Sequence, residues 1–264
     1  MEVLFGLHPV EEAIRSGSRQ LDHVSIARES SDARGNPRIA HLIDLCRTAG
    51  IRVALEPRDQ LTRLARTDAH QGVLGVVSER KFLTIEELLA PSPDHRFFLA
   101  LDGVEDPHNL GALLRTADGA GLDGVILPER RSAPVTATVA KTSAGASEHV
   151  RIARVTNLVR SLEQMKQNHV WVLGLDERGS PDYTDFDFNT DCILVLGREG
   201  AGLHDLVKKT CDHLLRIPMA GQVSSLNVSV AGAIVMYEAM RQRRQAAAPP
   251  VAPKPTKPRK GLGS

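Results

Sequence analysis

The chain has 264 residues, 42% of them hydrophobic and 25% charged, with 33 Lys and Arg against 32 Asp and Glu. These proportions suit one or two globular domains and exclude wholesale disorder. No stretch reaches the ~18 consecutive apolar residues of a membrane helix, and MEVLFGLHPVEEAIRSG at the start carries acids where a secretory leader needs a basic, apolar beginning.

In chain order, HPVEEAIRSG reads as a helix with Pro9 in its first turn, and HVSIA as a short strand. PRIAHLIDLCRTAG has apolar residues at helical spacing before a terminal glycine. A strand (IRVALE), a helix (RDQLTRLAR) and a buried strand (GVLGVVS) complete a small α/β unit over 1–77. The charged, proline-containing stretch 78–95 is expected to be a linker. From residue 96 the units lengthen: strand RFFLALD, helix NLGALLRTADGAG, strand GVILP, and a helix of small residues, APVTATVAKTSAG. Then come helix VTNLVRSLEQMKQN, strands VWVLGLD and DCILVLG, helix LHDLVKKT, strand HLLRIPM and the apolar helix NVSVAGAIVMYEAMRQR. Strand–helix alternation over residues 96–244 predicts a mostly parallel α/β sheet.

The net charge of +1 hides a division. Residues 241–264 hold seven Lys or Arg and no acid, which leaves 26 basic against 32 acidic residues over 1–240, a net −6. A globally basic nucleic-acid binder is excluded, so any phosphate backbone must be held by local features. Residues 1–77 contain ten Arg and no Lys. That choice reflects either the codon bias of a GC-rich genome or bidentate phosphate contacts. The Pro-rich, basic tail 245–264 is expected to be disordered, as a solvated appendage or an RNA-binding arm. Nine aromatics are too few for a base-stacking platform. Cys46, Cys192 and Cys211 are odd in number and widely spaced. They predict reduced thiols in a cytoplasmic protein, without disulfide or metal site.

Three segments at expected strand ends, where open parallel sheets bind ligands, are polar and glycine-rich. In DGVEDPHNLGALLR, Asp106, His108 and Asn109 lie at a helix start, so Asn109 is either a plain cap or a ligand group. Arg115, six residues on, is either a solvated charge or a phosphate holder. In LVLGREGAGL, Gly197, Gly200 and Gly202 let the backbone approach a ligand closely. In IPMAGQVSSLNVS, Ser224, Ser225 and Asn227 crowd one helix start where a single cap suffices. No G-x-S-x-G, early G-x-G-x-x-G or G-x-x-x-x-G-K-[ST] pattern occurs, which disfavours a hydrolase, a dinucleotide oxidoreductase and a P-loop NTPase.

In order, the three segments resemble the motifs of the SpoU/TrmH family (SPOUT superfamily) of RNA ribose 2′-O-methyltransferases: Asn109 with Arg115, then LGREGAGL with Glu199, then IPMAGQVSSLNVSVAGAIVMYEA. The likeness covers residues 96–240. With FGLHPVEEAI and HQGVLGVV it extends to the whole chain and is similar to the RlmB-type branch, which methylates a guanosine of 23S rRNA. The resemblance implies a SPOUT-type parallel sheet with a C-terminal trefoil knot, preceded by a small RNA-binding domain, and a homodimer with the active site near the subunit interface. It implies S-adenosylmethionine bound by Leu196, Gly197, Ile217, Met219, Ser225 and Leu226. It further implies that Arg115 contacts the target phosphate or ribose, as base or as relay to a phosphate oxygen. Asn109, Ser225 and Asn227 would orient ribose and cofactor, and Glu199 would fix Arg115 or a neighbouring donor. The expected partner is 23S rRNA or a large-subunit assembly intermediate. The alternatives are the same transfer to tRNA, or a non-catalytic RNA-binding or ribosome-assembly protein.

Overall fold

A computed structural model describes residues 1–30, 36–90 and 95–247. The first unit comprises β1 (Glu2–Phe5), α1 (Leu7–Ser16), β2 (Leu21–Ala27), α2 (Pro37–Thr48), β3 (Arg52–Glu56), α3 (Arg58–Ala65) and β4 (Val73–Val77). Its sheet runs β1-β4-β2-β3, with β4 antiparallel to both neighbours and β2 parallel to β3. Asn36 caps α2 by accepting the Arg38 N–H, with Pro37 in the first turn. Strand β1 was not expected from the sequence. At four residues it is too short to show an alternating pattern, and its pairing with β4 comes from 70 residues away along the chain.

The expected linker holds structure. Helix α4 (Ile85–Leu88) is closed by a capping box in which Thr84 and Glu87 exchange bonds with each other's backbone N–H. Leu88 is fully buried against the second unit, and Leu83 bridges to Ala153.

The second unit runs β5 (Phe97–Leu101), α5 (Pro107–Gly119), β6 (Gly124–Pro128), α6 (Ala137–Thr142), β7 (Ile152–Val155), α7 (Leu158–Gln167), β8 (Trp171–Leu175), β9 (Cys192–Leu196), α8 (Asp205–Thr210), β10 (His213–Leu215) and α9 (Val228–Ala247). All six strands are parallel, in the order β10-β8-β9-β5-β6-β7. The apolar runs of β5 and β9 are buried on both faces, as strands between two helical layers must be. Leu99, Leu101, Leu194 and Leu196 face Leu110, Leu113, Leu114, Val235 and Met236 of α5 and α9. Phe98, Ala100, Ile193 and Val195 share the opposite layer with Leu158, Leu162 and Met165 of α7. Four boundaries differ from expectation. Strand β7 precedes α7, which starts only after the Asn157 cap. Helix α6 is six residues, because 133–136 stay outside the helix. Strand β10 ends at Leu215, which leaves Ile217 and Met219 in a loop. Helix α9 continues to Ala247, past the expected start of the tail; residues 248–264 lie outside the described residues.

The two units share a packed seam. Ala140 of α6 sits in the core of the first unit beside Leu4, Val10 and Val73. Behind it, the fully buried Glu148 carboxylate accepts from Arg19 Nε (3.0 Å) and from Arg80 Nη2 (2.5 Å). Arg19 also pairs with Glu2, and Arg80 donates to the Ser147 carbonyl (2.7 Å). Burial pulls the Arg80 guanidinium below its ordinary value even with Glu148 against it.

Candidate active site

Strands β8, β9 and β10 open at their carboxyl ends onto one crevice, the place where parallel sheets present ligand sites. At the end of β5, the Asp102 N–H donates to the Leu196 carbonyl (2.8 Å). Its carboxylate accepts the His204 backbone N–H (2.7 Å) and lies 2.8 Å from His204 Nδ1. This ties the loop after β5 to the loop after β9. The cap of α5 is Asp106, which accepts the His108 N–H (3.0 Å). Asn109 is thereby released from capping and turns inward, 8% exposed.

The loop after β9 is a tight bend closed by reciprocal bonds between Arg198 and Gly202 (3.0 and 2.9 Å). Gly200 and Gly202 have φ of +73° and +66°, the left-handed region that glycine tolerates. A Cβ on Gly197 would run into the Gly202–Leu203 backbone, so no other residue fits there. The chain after β10 returns through 216–227 to α9. There Asn227 Oδ1 accepts the Ser229 N–H (2.9 Å) and hydroxyl (2.6 Å), capping the helix with one oxygen.

Residues from all three motifs meet. Asn109 Nδ2 donates to Glu199 Oε2 (3.2 Å), and Asn227 Nδ2 donates to Glu199 Oε1 (3.2 Å) and to Asn109 Oδ1 (3.0 Å). Two neutral amides thus hold the Glu199 carboxylate, which stays exposed. Glu199 is bonded to these two amides and makes no bond to Arg115. Arg115 lies exposed on α5 with no hydrogen bond or ion pair among the described residues, and it does not line the crevice.

Beside this triangle is a cavity of about 420 Å³, within the range of small-molecule sites. Leu196, Gly197, Ile217, Met219, Ser225 and Leu226 all line it, with Glu199 and Ser224. Its lining combines apolar side chains (Leu196, Ile217, Met219, Leu226) with polar ones (Glu199, Ser224, Ser225). Sequence reasoning missed Asp176 and Lys208, an ion pair (2.6 Å) that also lines it. The available signal was an acid directly after the apolar run VWVLGL, at a strand's carboxyl end. Burial pushes the Asp176 carboxyl up, but the Lys208 ammonium and the Arg178 N–H outweigh it and hold the group below its ordinary value. Among the described residues, no group of three His, Cys, Asp or Glu side chains could hold a metal ion. The three thiols are free, and burial pushes Cys192 up to about 12.

Comparison with known proteins agrees with this geometry. Residues 96–237 match the SpoU rRNA methylase family, and residues 3–83 match the RNA 2′-O ribose methyltransferase substrate-binding family. YacO of Bacillus subtilis, named as a TrmH family tRNA/rRNA methyltransferase, is 40% identical over 245 residues, covering 92% of this chain and 96% of its own. The 23S rRNA (guanosine-2′-O-)-methyltransferase RlmB of Ralstonia nicotianae is 40% identical over 243 residues, with the same coverage of both chains. The crystal structure of the SpoU methyltransferase AviRb from Streptomyces viridochromogenes with AdoMet superposes at a TM-score of 0.77, with 26% identity over 92% of this chain and 90% of that one. A glycine bend that a Cβ would close, an amide-held glutamate beside it and a likeness to these enzymes along 92% of the chain have one reading: the chain belongs to the SpoU rRNA methylase (TrmH) family and is an S-adenosylmethionine-dependent RNA 2′-O-methyltransferase.

Proposed function

We propose that the protein methylates the ribose 2′-hydroxyl of a guanosine in 23S rRNA, free or in a large-subunit assembly intermediate, as a cytoplasmic homodimer. The observation that carries the substrate is the match to the Ralstonia enzyme along 92% of this chain, first unit included. A dimer is supported by the outer face of α9, which leaves Val230 and Tyr237 about half exposed. The trefoil knot belongs to the same proposal. It is supported by the path of the chain, which leaves β10 at the sheet edge and returns to pack Gly232 of α9 against Leu196 at the sheet centre and Leu113 of α5.

S-adenosylmethionine supplies an electrophilic methyl group. Leu196, Gly197, Ile217, Met219, Ser225 and Leu226 are the residues that would hold it, and the missing Cβ at Gly197 lets the Gly202–Leu203 backbone close the bend that lines the cavity. A 2′-hydroxyl is a weak nucleophile at neutral pH, so the chain must align it and find a place for its proton. The Asn109–Glu199–Asn227 triangle fixes polar groups at the cavity rim without any motion being needed. Arg115 is free to take the target phosphate. Because a guanidinium stays protonated, we assign the proton to a phosphate oxygen held by Arg115 rather than to Arg115 itself.

The test is methyl transfer from labelled S-adenosylmethionine to separate 23S rRNA and tRNA transcripts, with the product nucleotide mapped. A 2′-O-methylguanosine in 23S rRNA alone is the expected result, whereas modification of tRNA alone would overturn the substrate. Arg115→Ala is expected to abolish transfer while cofactor affinity stays unchanged, and near-normal turnover would remove Arg115 from the mechanism.

A further inference from the structure

The segment between β6 and α6 joins the active site to the first unit and carries two arginines that no described residue neutralises. At its start, the Glu129 N–H donates to the Val155 carbonyl (2.8 Å). Four residues on, the Ala133 N–H donates to the Val104 carbonyl (2.9 Å). Residues 130–132 therefore form a short arch pinned at both feet. Its second foot rests on the loop that leads from β5 into the α5 start carrying Asn109. Beyond the arch the chain enters α6, where Ala137 packs against the Phe5, Leu61 and Leu74 cluster of the first unit. Lys141 donates to the Ala69 carbonyl and sits over the Phe5 ring.

Arg130 and Arg131 are both exposed, and neither makes an ion pair or hydrogen bond among the described residues. Carboxylates are close in sequence and in the adjoining loop (Glu129, Glu105 and Asp106), yet none is recruited. Arg131 has φ of +57°, a conformation rare for a residue with a Cβ. The pinned feet hold it there. Next to it, the Ser132 hydroxyl oxygen is buried without a partner. Two adjacent guanidiniums on a backbone pinned at both feet, without counter-charge among the described residues, are suited to bidentate contact with phosphate oxygens.

We propose that Arg130 and Arg131 grip backbone phosphates of the RNA beside the nucleotide being methylated, on the path from the substrate-binding unit to the Asn109–Glu199–Asn227 rim. They are positioning residues, since they touch neither cofactor cavity nor triangle. The inference rests on RNA being the substrate and is indifferent to which RNA.

The experiment uses the full-length protein and whichever transcript, 23S rRNA or tRNA, the wild-type enzyme methylates. The substrate assignment and the arginine pair can then fail separately. For Arg130→Gln/Arg131→Gln, the KM for RNA is expected to rise about 10-fold or more, with kcat and cofactor affinity within about 2-fold. The slope of log affinity against log salt is expected to become shallower by about 1 per arginine. Arg130→Lys/Arg131→Lys is expected to restore most of that slope, because a point charge still releases counterions. Arg130→Gln alone, at a residue without the left-handed backbone, is expected to show half the slope change with an unaltered melting temperature. An unchanged KM and salt slope would overturn the proposal, and so would a fall in kcat at constant KM.

Discussion

The seam between the two units and the rim of the cavity are each built around one glutamate, and they treat it in opposite ways. At the seam, Glu148 has no solvent access and is met by two guanidiniums. At the rim, Glu199 is exposed and is met by two carboxamides. A buried carboxylate without cations would carry a large desolvation cost, so the arginines there neutralise it and its work is structural. The rim needs the reverse. Neutral amides fix the direction of Glu199 without cancelling its charge, so the field of the carboxylate remains available to a ligand.

The sharpest way to break this contrast is to remove both acids in turn. Glu148→Ala leaves Arg80 and part of Arg19 as buried cations without a counter-charge. It is expected to cost about 3–5 kcal/mol in unfolding free energy, read by denaturant titration. Loss of under about 1 kcal/mol would show the seam to be looser than drawn. Glu199→Gln keeps shape but turns one amide contact into a donor–donor clash. Melting should move little, while turnover is expected to fall on the order of 100-fold. A variant equally active but unstable would reverse the contrast.

The smallest effect concerns the Asp176–Lys208 pair in the cavity wall. The folded-state Asp176 carboxyl lies below its ordinary value of 3.8, so the pair's contribution is fully present above that pH. It is lost as pH falls further, through the folded value. Acid unfolding of Asp176→Asn should therefore lack this component, a difference of about 1 kcal/mol or less. Parallel acid profiles for the two proteins would refute it.

The strand–helix alternation of the second unit was legible because parallel strands covered on both faces are nearly continuous apolar runs, as in FFLAL and CILVL. Strands β1 and β7, four residues each, carry too few positions for a period to register. The motif residues could be found one segment at a time, two of them against helix starts that need a single cap and the third by its three glycines after an apolar strand. Their meeting could not, because Asn109 lies 90 residues from Glu199 and 118 from Asn227. Spacing along a chain says nothing about such distances. Nor did the sequence mark Asp106, rather than Asn109, as the cap of α5. Glu148 was invisible for the opposite reason: Arg19, Arg80 and Glu148 look like any surface charges until the fold buries them.

Helix α6 gives this chain a limited modularity. It is encoded in the middle of the methyltransferase region, yet Ala140 completes the core of the first unit. The boundary between the two matched families, between residues 83 and 96, is thus not the boundary of the packing. Exchange of the first unit for another specificity, in evolution or in the laboratory, would have to carry the α6 surface and Glu148 with it. Recombination at the linker alone would join a core to a plug shaped for a different one.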